Sequence, residues 1–183
     1  MTQTHRCKIR IRDGWKMKTE YKCVVISDTH GNMQPIREVI EKERPFDTLV
    51  HCGDVEGNLA SFLGVQEFGC LSVKGNCDYY SDDAEERRFR LGSCRILVTH
   101  GHRCGVQFGR EMLIREGQKK EADVILYGHT HIPDVYRDKT TGILLVNPGS
   151  LCRPRQNTHV KTYAVLTVTE GKIPQAWIRE FHV

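Results

Sequence analysis

Hydrophobic and polar positions follow two periods along this chain, and each change of period marks an element. Short apolar runs rich in β-branched residues, Cys23-Val24-Val25-Ile26, Thr48-Leu49-Val50, Ile96-Leu97-Val98 and Val124-Ile125-Leu126, fit strands buried on both faces. Between the first two, Pro35 suits the first turn of a helix. Ile36, Val39 and Ile40 then fall at i, i+3 and i+4, an inward stripe that ends before Pro45. A second helix is predicted over 59–67 with Asn58 as N-cap, and a third over 106–116, with Val106, Met112 and Leu113 on one face. Leu71-Ser72-Val73 predicts a short strand, and 82–88 reads as a charged, solvated stretch. Past the fourth buried run the pattern turns to hairpins, 135–137 with 143–146 across Thr141-Gly142 and 163–168 with 172–181 across Glu170-Gly171. Alternating strands and helices followed by hairpins predict a single-domain α/β sandwich.

Length and charge narrow this picture. A chain of 183 residues is long enough for one domain with a real core. No apolar run approaches the ~20 residues that span a bilayer, and no secretory leader pattern is present. The eight cysteines are scattered without a C-x-x-C pair, and Cys23, Cys52 and Cys94 lie in apolar runs. They read as buried, reduced thiols of a cytoplasmic protein. Seven of the 27 basic and two of the 23 acidic residues fall within 1–22, so that stretch carries +5 and the remainder −1. Residues 1–21 are expected to form a solvated basic extension, one reading being translation from upstream of a start at Met17. The body, from residue 22 to 183, lacks the basic face and stacking aromatics of a nucleic-acid binder.

The candidate chemistry sits where the buried runs end. His129 and His131 follow Gly128 at i and i+2, a spacing that lets both rings face one point in extended backbone. Taken alone, such a pair is a set of metal ligands, a catalytic acid/base pair or two ordinary loop histidines. Three more strand ends repeat the theme: Asp28-Thr29-His30, Gly53-Asp54 and His100-Gly101-His102. In open α/β sheets the ligand crevice lies beyond the carboxyl ends of the strands, so these side chains can meet there.

Together with Gly75-Asn76-Cys77-Asp78 and Asn147-Pro148-Gly149-Ser150, these blocks occur in the order found in the calcineurin-like metallophosphoesterases. From about Lys22 onward the chain resembles their small YfcE-type phosphodiesterases. The resemblance implies a four-layer αββα sandwich and two metal ions, with Asp28, His30 and His131 on one, Asn76, His100 and His129 on the other, and Asp54 bridging both. It implies hydrolysis of phosphodiester bonds by attack of a metal-bridging hydroxide, with Asp54 and Asn76 as catalytic residues. His102, at i+2 from His100, is a further catalytic candidate by its spacing, either contacting phosphate or metal-bound water or bracing a ligand from behind. Imidazole, carboxylate and amide donors without thiolate suit Mn²⁺ first, with Fe²⁺, Ni²⁺ or Zn²⁺ as alternatives; four histidines argue against Mg²⁺ or Ca²⁺. Two divalent ions would leave the site slightly positive, matched to a phosphate anion.

Position 77 departs from many larger members of the superfamily, which carry there a histidine thought to protonate the leaving group. Asp78 reads as a brace and His51 as a packed or hydrogen-bonded histidine. Arg153 and Arg155 are either phosphate contacts or solvated arginines, and His5, His159 and His182 have no supporting pattern. The expected partner is a small phosphodiester, not a membrane or nucleic acid, and a dimer or tetramer stays open. Two further function classes remain. One is a protein-binding scaffold like the retromer subunit that shares this fold; the other is a metal-dependent nuclease acting on RNA, using the basic extension.

Overall fold

Cys23 and Val25 pack on one side of their strand and Val24 and Ile26 on the other, and all four are fully buried. A strand covered on both faces needs a layer on each side, which fixes the architecture around it. The protein is seen here as a computed structural model, which describes residues 8–11 and 14–182. In chain order the elements are β1 (Lys8–Ile11), β2 (Gly14–Met17), β3 (Glu20–Ile26), α1 (Gln34–Glu43), β4 (Thr48–His51), α2 (Leu59–Leu63) and β5 (Gly69–Ser72). They continue with β6 (Glu86–Leu91), β7 (Cys94–Thr99), α3 (Glu111–Lys119), β8 (Val124–Leu126), β9 (Asp134–Arg137), β10 (Leu144–Asn147), β11 (Lys161–Thr169) and β12 (Gln175–Phe181).

Two five-stranded sheets result, ordered β12-β11-β3-β4-β5 and β6-β7-β8-β10-β9. In each, three strands are parallel, β3-β4-β5 and β7-β8-β10, and antiparallel strands close the sheet. The inner faces meet through Cys23, Val25, Val50 and Val73 on one side and Ile96, Val98, Leu126 and Val146 on the other. Ile36, Val39, Leu59 and Leu63 of α1 and α2 cover Val24, Ile26 and Leu49. Leu113 of α3 covers Leu97, Ile125 and Leu145 on the far side. The chain is thus the predicted αββα sandwich. Each fully buried Val, Leu or Ile contributes roughly 1.5–3 kcal/mol. That burial holds the helices: α1 has ten residues, fewer than the ~12–15 at which an isolated helix becomes even marginal.

Several boundaries differ from the pattern-based reading. The stretch expected to be solvated runs into β6, which pairs with β7 in the register Glu86↔Thr99 to Leu91↔Cys94. It is an edge strand, where exposed charges such as Arg88 and Arg90 are compatible with pairing, and Phe89 and Leu91 face the core. The third helix starts at Glu111, not at 106, because a 3₁₀ turn over His102–Cys104 runs into a second turn over 105–108, where the Phe108 N–H donates to Gly105 O at 2.8 Å and Gly105 is left-handed (φ 59°). Val106 reaches the core from a loop, and Met112 is half exposed. The second helix stops at Leu63, before Gly64 at φ 66°, and its Asn58 side chain accepts the Ser61 N–H at 2.8 Å as predicted. Both C-terminal hairpins form, although β12 begins at Gln175.

Within the basic extension β1 and β2 pair with each other, Lys8↔Met17 to Ile11↔Gly14, and β3 starts at Glu20. Residues 1–7 and 12–13, with His5 among them, lie outside the described residues. Among the described residues no helix is long and apolar enough to cross a membrane.

Candidate metal centre

The parallel strands of both sheets end on one rim, and five of the six ends deliver a candidate ligand. Asp28 and His30 follow β3, Asp54 follows β4, Asn76 follows β5, His100 follows β7, and His129 and His131 follow β8. Backbone bonds tie the loops: Asp28 N–H to Gly53 O (3.1 Å), His30 N–H to Asp54 O (3.0 Å) and Gly128 N–H to His100 O (3.1 Å). Between the sheets the His129 N–H donates to Asp28 Oδ2 at 3.2 Å. Asp28, His30, Asp54, His129 and His131 all adopt left-handed backbone, with φ between 46° and 71°. Non-glycine residues rarely take that conformation, and clusters of such strain mark functional sites. Gly75 permits the closest approach, since a Cβ there would lie 2.1 Å from Asp54 Oδ1.

Ligand atoms of Asp28, His30, Asp54 and His131 all lie within 4.8 Å of one another. His131 Nε2 is 3.1 Å from Asp28 Oδ1, and His30 Nε2 is 3.2 Å from His131 Nε2 and 3.9 Å from Asp54 Oδ2. On the other side of Asp54, His100 Nε2 lies 3.4 Å from Oδ2 and 3.1 Å from Asn76 Oδ1. The His129 ring centre is 5.2 Å from that of His100. Asp54 therefore stands between two groups, its Oδ1 held by the Cys77 N–H at 2.8 Å.

The hydrogen bonds behind the rings decide what this arrangement fits. His131 Nδ1 faces Arg153 O (2.6 Å), His100 Nδ1 faces Cys52 O (2.8 Å) and His30 Nδ1 faces Glu56 Oε1 (2.5 Å). A carbonyl or carboxylate only accepts, so each Nδ1 carries a proton and Nε2 is the ring atom turned inward. Three inward Nε2 atoms and two carboxylates converge, with buried His129 Nδ1 lacking a partner. Imidazole and carboxylate donors gathered in this way fit divalent metal ions.

The protons follow the same electrostatics. Burial would raise the Asp54 carboxyl pKa, but bonding to His100 and the Cys77 N–H holds it well below the usual range. Burial likewise opposes His131 and His100 at Asp28, which is also held low. His102 has its ring centre 5.3 Å from His100 and its Nδ1 buried without a partner. Burial and the neighbouring His100 lower its pKa. Cys77 is an ineffective acid, its thiol pushed up to about 11 by burial and by Asp54.

Asp78 braces the rim, accepting from Glu56 N–H (2.6 Å) and Gly75 N–H (2.8 Å). Arg153 and Arg155 are exposed and touch the site through backbone, Arg155 N–H donating to His131 O at 3.2 Å. His159 and His182 stand apart, near Pro154 O and Glu180. Pattern reading passed over Glu56, although it follows Asp54 at the same i, i+2 spacing used to find the histidine pairs. It also passed over Asn147 and Ser150 as site residues; Asn147 Nδ2 donates to Gly128 O (2.9 Å) and Ser150 Oγ to Asp28 O (2.7 Å).

His51 lies beneath the site, its Nε2 2.9 Å from Thr29 Oγ1 and its Nδ1 accepting the Gly53 N–H. Burial lowers its pKa to about 4. The unfolded chain, with a histidine near ~6.5, binds a proton that the folded chain refuses between those values. Stability is therefore lost as pH falls from about 6.5 toward about 4. Thermal unfolding of metal-free protein should show a smaller drop in Tm between pH 7 and pH 5 for His51→Gln than for wild type; equal drops would refute this.

Comparison with known proteins agrees with the geometry. Residues 21–171 match the calcineurin-like phosphoesterase superfamily domain. The probable metallophosphoesterase YsnB of Bacillus subtilis is 35% identical over 148 residues, covering 79% of this chain and 83% of the relative. Phosphodiesterase YfcE of Escherichia coli K12 is 30% identical over 158 residues, covering 73% and 81%. A crystal structure of a predicted phosphoesterase from Streptococcus pneumoniae superposes with a TM-score of 0.74 at 29% identity, covering 88% of this chain and 99% of that one. Vacuolar Protein Sorting 29 from Cryptosporidium parvum reaches 0.70 at 16% identity over 91% and 100%, a likeness of fold alone.

Proposed function

The chain belongs to the calcineurin-like phosphoesterase superfamily, and from that premise we propose that it is a phosphodiesterase working with two divalent transition-metal ions. Asp28, His30 and His131 would hold one ion, Asn76, His100 and His129 the other, and Asp54 both. Bound there, the ions would polarise phosphoryl oxygens and lower the pKa of water from ~15.7 toward ~7, supplying a nucleophile near neutral pH. The observation that carries this reading is the set of inward Nε2 atoms of His30, His100 and His131 around two carboxylates, each ring held from behind through Nδ1.

The chain's own residues do the positioning. The Cys77 N–H fixes Asp54 between the two groups. The Asn76 amide, with Nδ2 on Cys77 Sγ at 3.2 Å, presents its oxygen toward His100 without adding charge. His102, beside both His100 and His129, is placed to contact a substrate phosphate. Imidazole-rich donors favour Mn²⁺, with Fe²⁺, Ni²⁺ and Zn²⁺ as alternatives. The buried free thiols Cys23, Cys52 and Cys94 suit a reducing, cytoplasmic setting.

The test is elemental analysis of purified protein, then a panel of phosphomonoesters and phosphodiesters with each metal added back. Metal-dependent turnover of diesters supports the proposal. Metal binding without turnover of any ester would favour the protein-binding scaffold. The basic extension should not contribute to the reaction itself. Deleting residues 1–16 is expected to leave kcat/KM for bis-p-nitrophenyl phosphate unchanged within about twofold, well inside the tenfold that ~1.4 kcal/mol represents. A large loss, or salt-dependent RNA binding that disappears with the deletion, would instead point to the nuclease.

A further inference from the structure

We infer that Glu56 is a positioning residue for the metal centre, acting through His30; the inference rests on the metal-ligand role proposed for His30. Glu56 Oε1 is 2.5 Å from His30 Nδ1, and the opposite ring atom, Nε2, faces His131 and Asp54. A carboxylate at Nδ1 selects one tautomer and one ring orientation: the proton stays on Nδ1 and the lone pair on Nε2 turns inward. The negative charge also makes that lone pair a better donor.

The backbone that carries the carboxylate is well anchored. Glu56 adopts left-handed backbone (φ 50°), and its N–H donates to buried Asp78 Oδ1 at 2.6 Å. Its neighbour Val55 accepts the Gly31 N–H at 2.9 Å, and Asp54 accepts that of His30 at 3.0 Å. Two backbone bonds thus clamp the Asp54–Glu56 turn to the His30–Gly31 turn before any side chain meets. His100 and His131 are oriented by neutral backbone carbonyls, Cys52 O and Arg153 O. Among these three rings only His30 is backed by a charge, and its partner is a side chain that substitution can remove.

A second arrangement competes. His30, Glu56 and Cys77 also bring ligand atoms within 4.8 Å of one another, so Glu56 could itself bind a cation. In that case His30 would use Nδ1 as a ligand, and the two uses of that atom are mutually exclusive.

The experiment compares wild type, His30→Ala, Glu56→Ala and Glu56→Gln, titrating metal-free protein with Mn²⁺ and Zn²⁺ by calorimetry. Imidazole ¹⁵N spectra of the Zn²⁺-loaded protein report which ring nitrogen of His30 carries the proton. Glu56→Ala is expected to weaken metal binding by about 10–100-fold, and Glu56→Gln by less, because its amide oxygen can still accept from Nδ1. Wild-type spectra should show a protonated Nδ1 and a metal-bound Nε2 on His30. If His30→Ala binds metal like wild type, the ligand role of His30 fails. If His30→Ala loses affinity and Glu56→Ala does not, the inference about Glu56 is overturned. Metal on Nδ1 in the spectra would likewise overturn it and assign Glu56 as a ligand.

Discussion

Asp54→Ala and Asp54→Asn are expected to abolish hydrolysis of phosphodiesters and to lower bound metal, with the fold intact. Asp54 faces both groups, with Oδ2 3.4 Å from His100 Nε2 and 3.9 Å from His30 Nε2. Its loss removes a charge from each candidate metal position at once. The expected fall in kcat exceeds about 10³-fold, above the ~10²–10³ typical of one lost electrostatic group. Asp54→Asn is the sharper variant, because it keeps the shape and an oxygen for the Cys77 N–H while deleting the charge. Replacing an outer residue should differ in kind. His30→Ala is expected to weaken binding yet recover part of its activity at high metal concentration. Metal content by elemental analysis and kcat against metal concentration separate the two patterns. Near-normal turnover in Asp54→Asn would end the two-metal proposal.

The second large effect is on leaving groups. Position 77 is a cysteine whose backbone N–H serves Asp54. A thiol is a weak hydrogen-bond donor, with an ordinary pKa of ~8.5. Without a strong acid at that position, the rate should follow how well the departing oxygen carries negative charge. Aryl diesters such as bis-p-nitrophenyl phosphate should turn over readily. Alkyl diesters of the same charge should be slower by more than the ~10²–10⁴ normally supplied by acid assistance. His102 is the competing acid, since its ring lies 5.3 Å from that of His100 and 6.1 Å from that of His129, with Nδ1 unpartnered. Wild type, Cys77→Ala and His102→Ala compared on both ester classes across pH decide between them. Weak leaving-group dependence in wild type means that a protein acid exists. A loss confined to alkyl esters in His102→Ala would identify it.

The sequence by itself determined the layers and the list of candidates. Val24 and Ile26 cannot both be buried with Cys23 and Val25 unless the strand is covered on both faces, so the apolar runs already required a sandwich. The ends of those runs named Asp28, His30, Asp54, His100, His102, His129 and His131, because residues just beyond parallel strands share one rim; Asn76 came with the family resemblance. Charged β6 was missed, since the exposed face of an edge strand tolerates charge and hides the inward alternation of Phe89 and Leu91. The third helix was started too early, since only backbone conformation reveals that 105–108 close a turn, Phe108 N–H to Gly105 O, before the helix begins.

What the tertiary structure alone decided is orientation. Spacing says that two rings can face one point. It does not say which nitrogen faces inward, and that depends on Cys52 O, Arg153 O and Glu56, which lie 22 to 48 residues away in sequence. Left-handed backbone at five of the seven candidate ligands is equally invisible in the letters, because no local preference favours it. The packed loops impose it, through bonds such as Asp28 N–H to Gly53 O and Ser150 Oγ to Asp28 O. Residue types are local, so the chain's chemistry could be read in order. The direction of a lone pair is set by whatever packs behind the ring, and only the folded chain brings that partner into place.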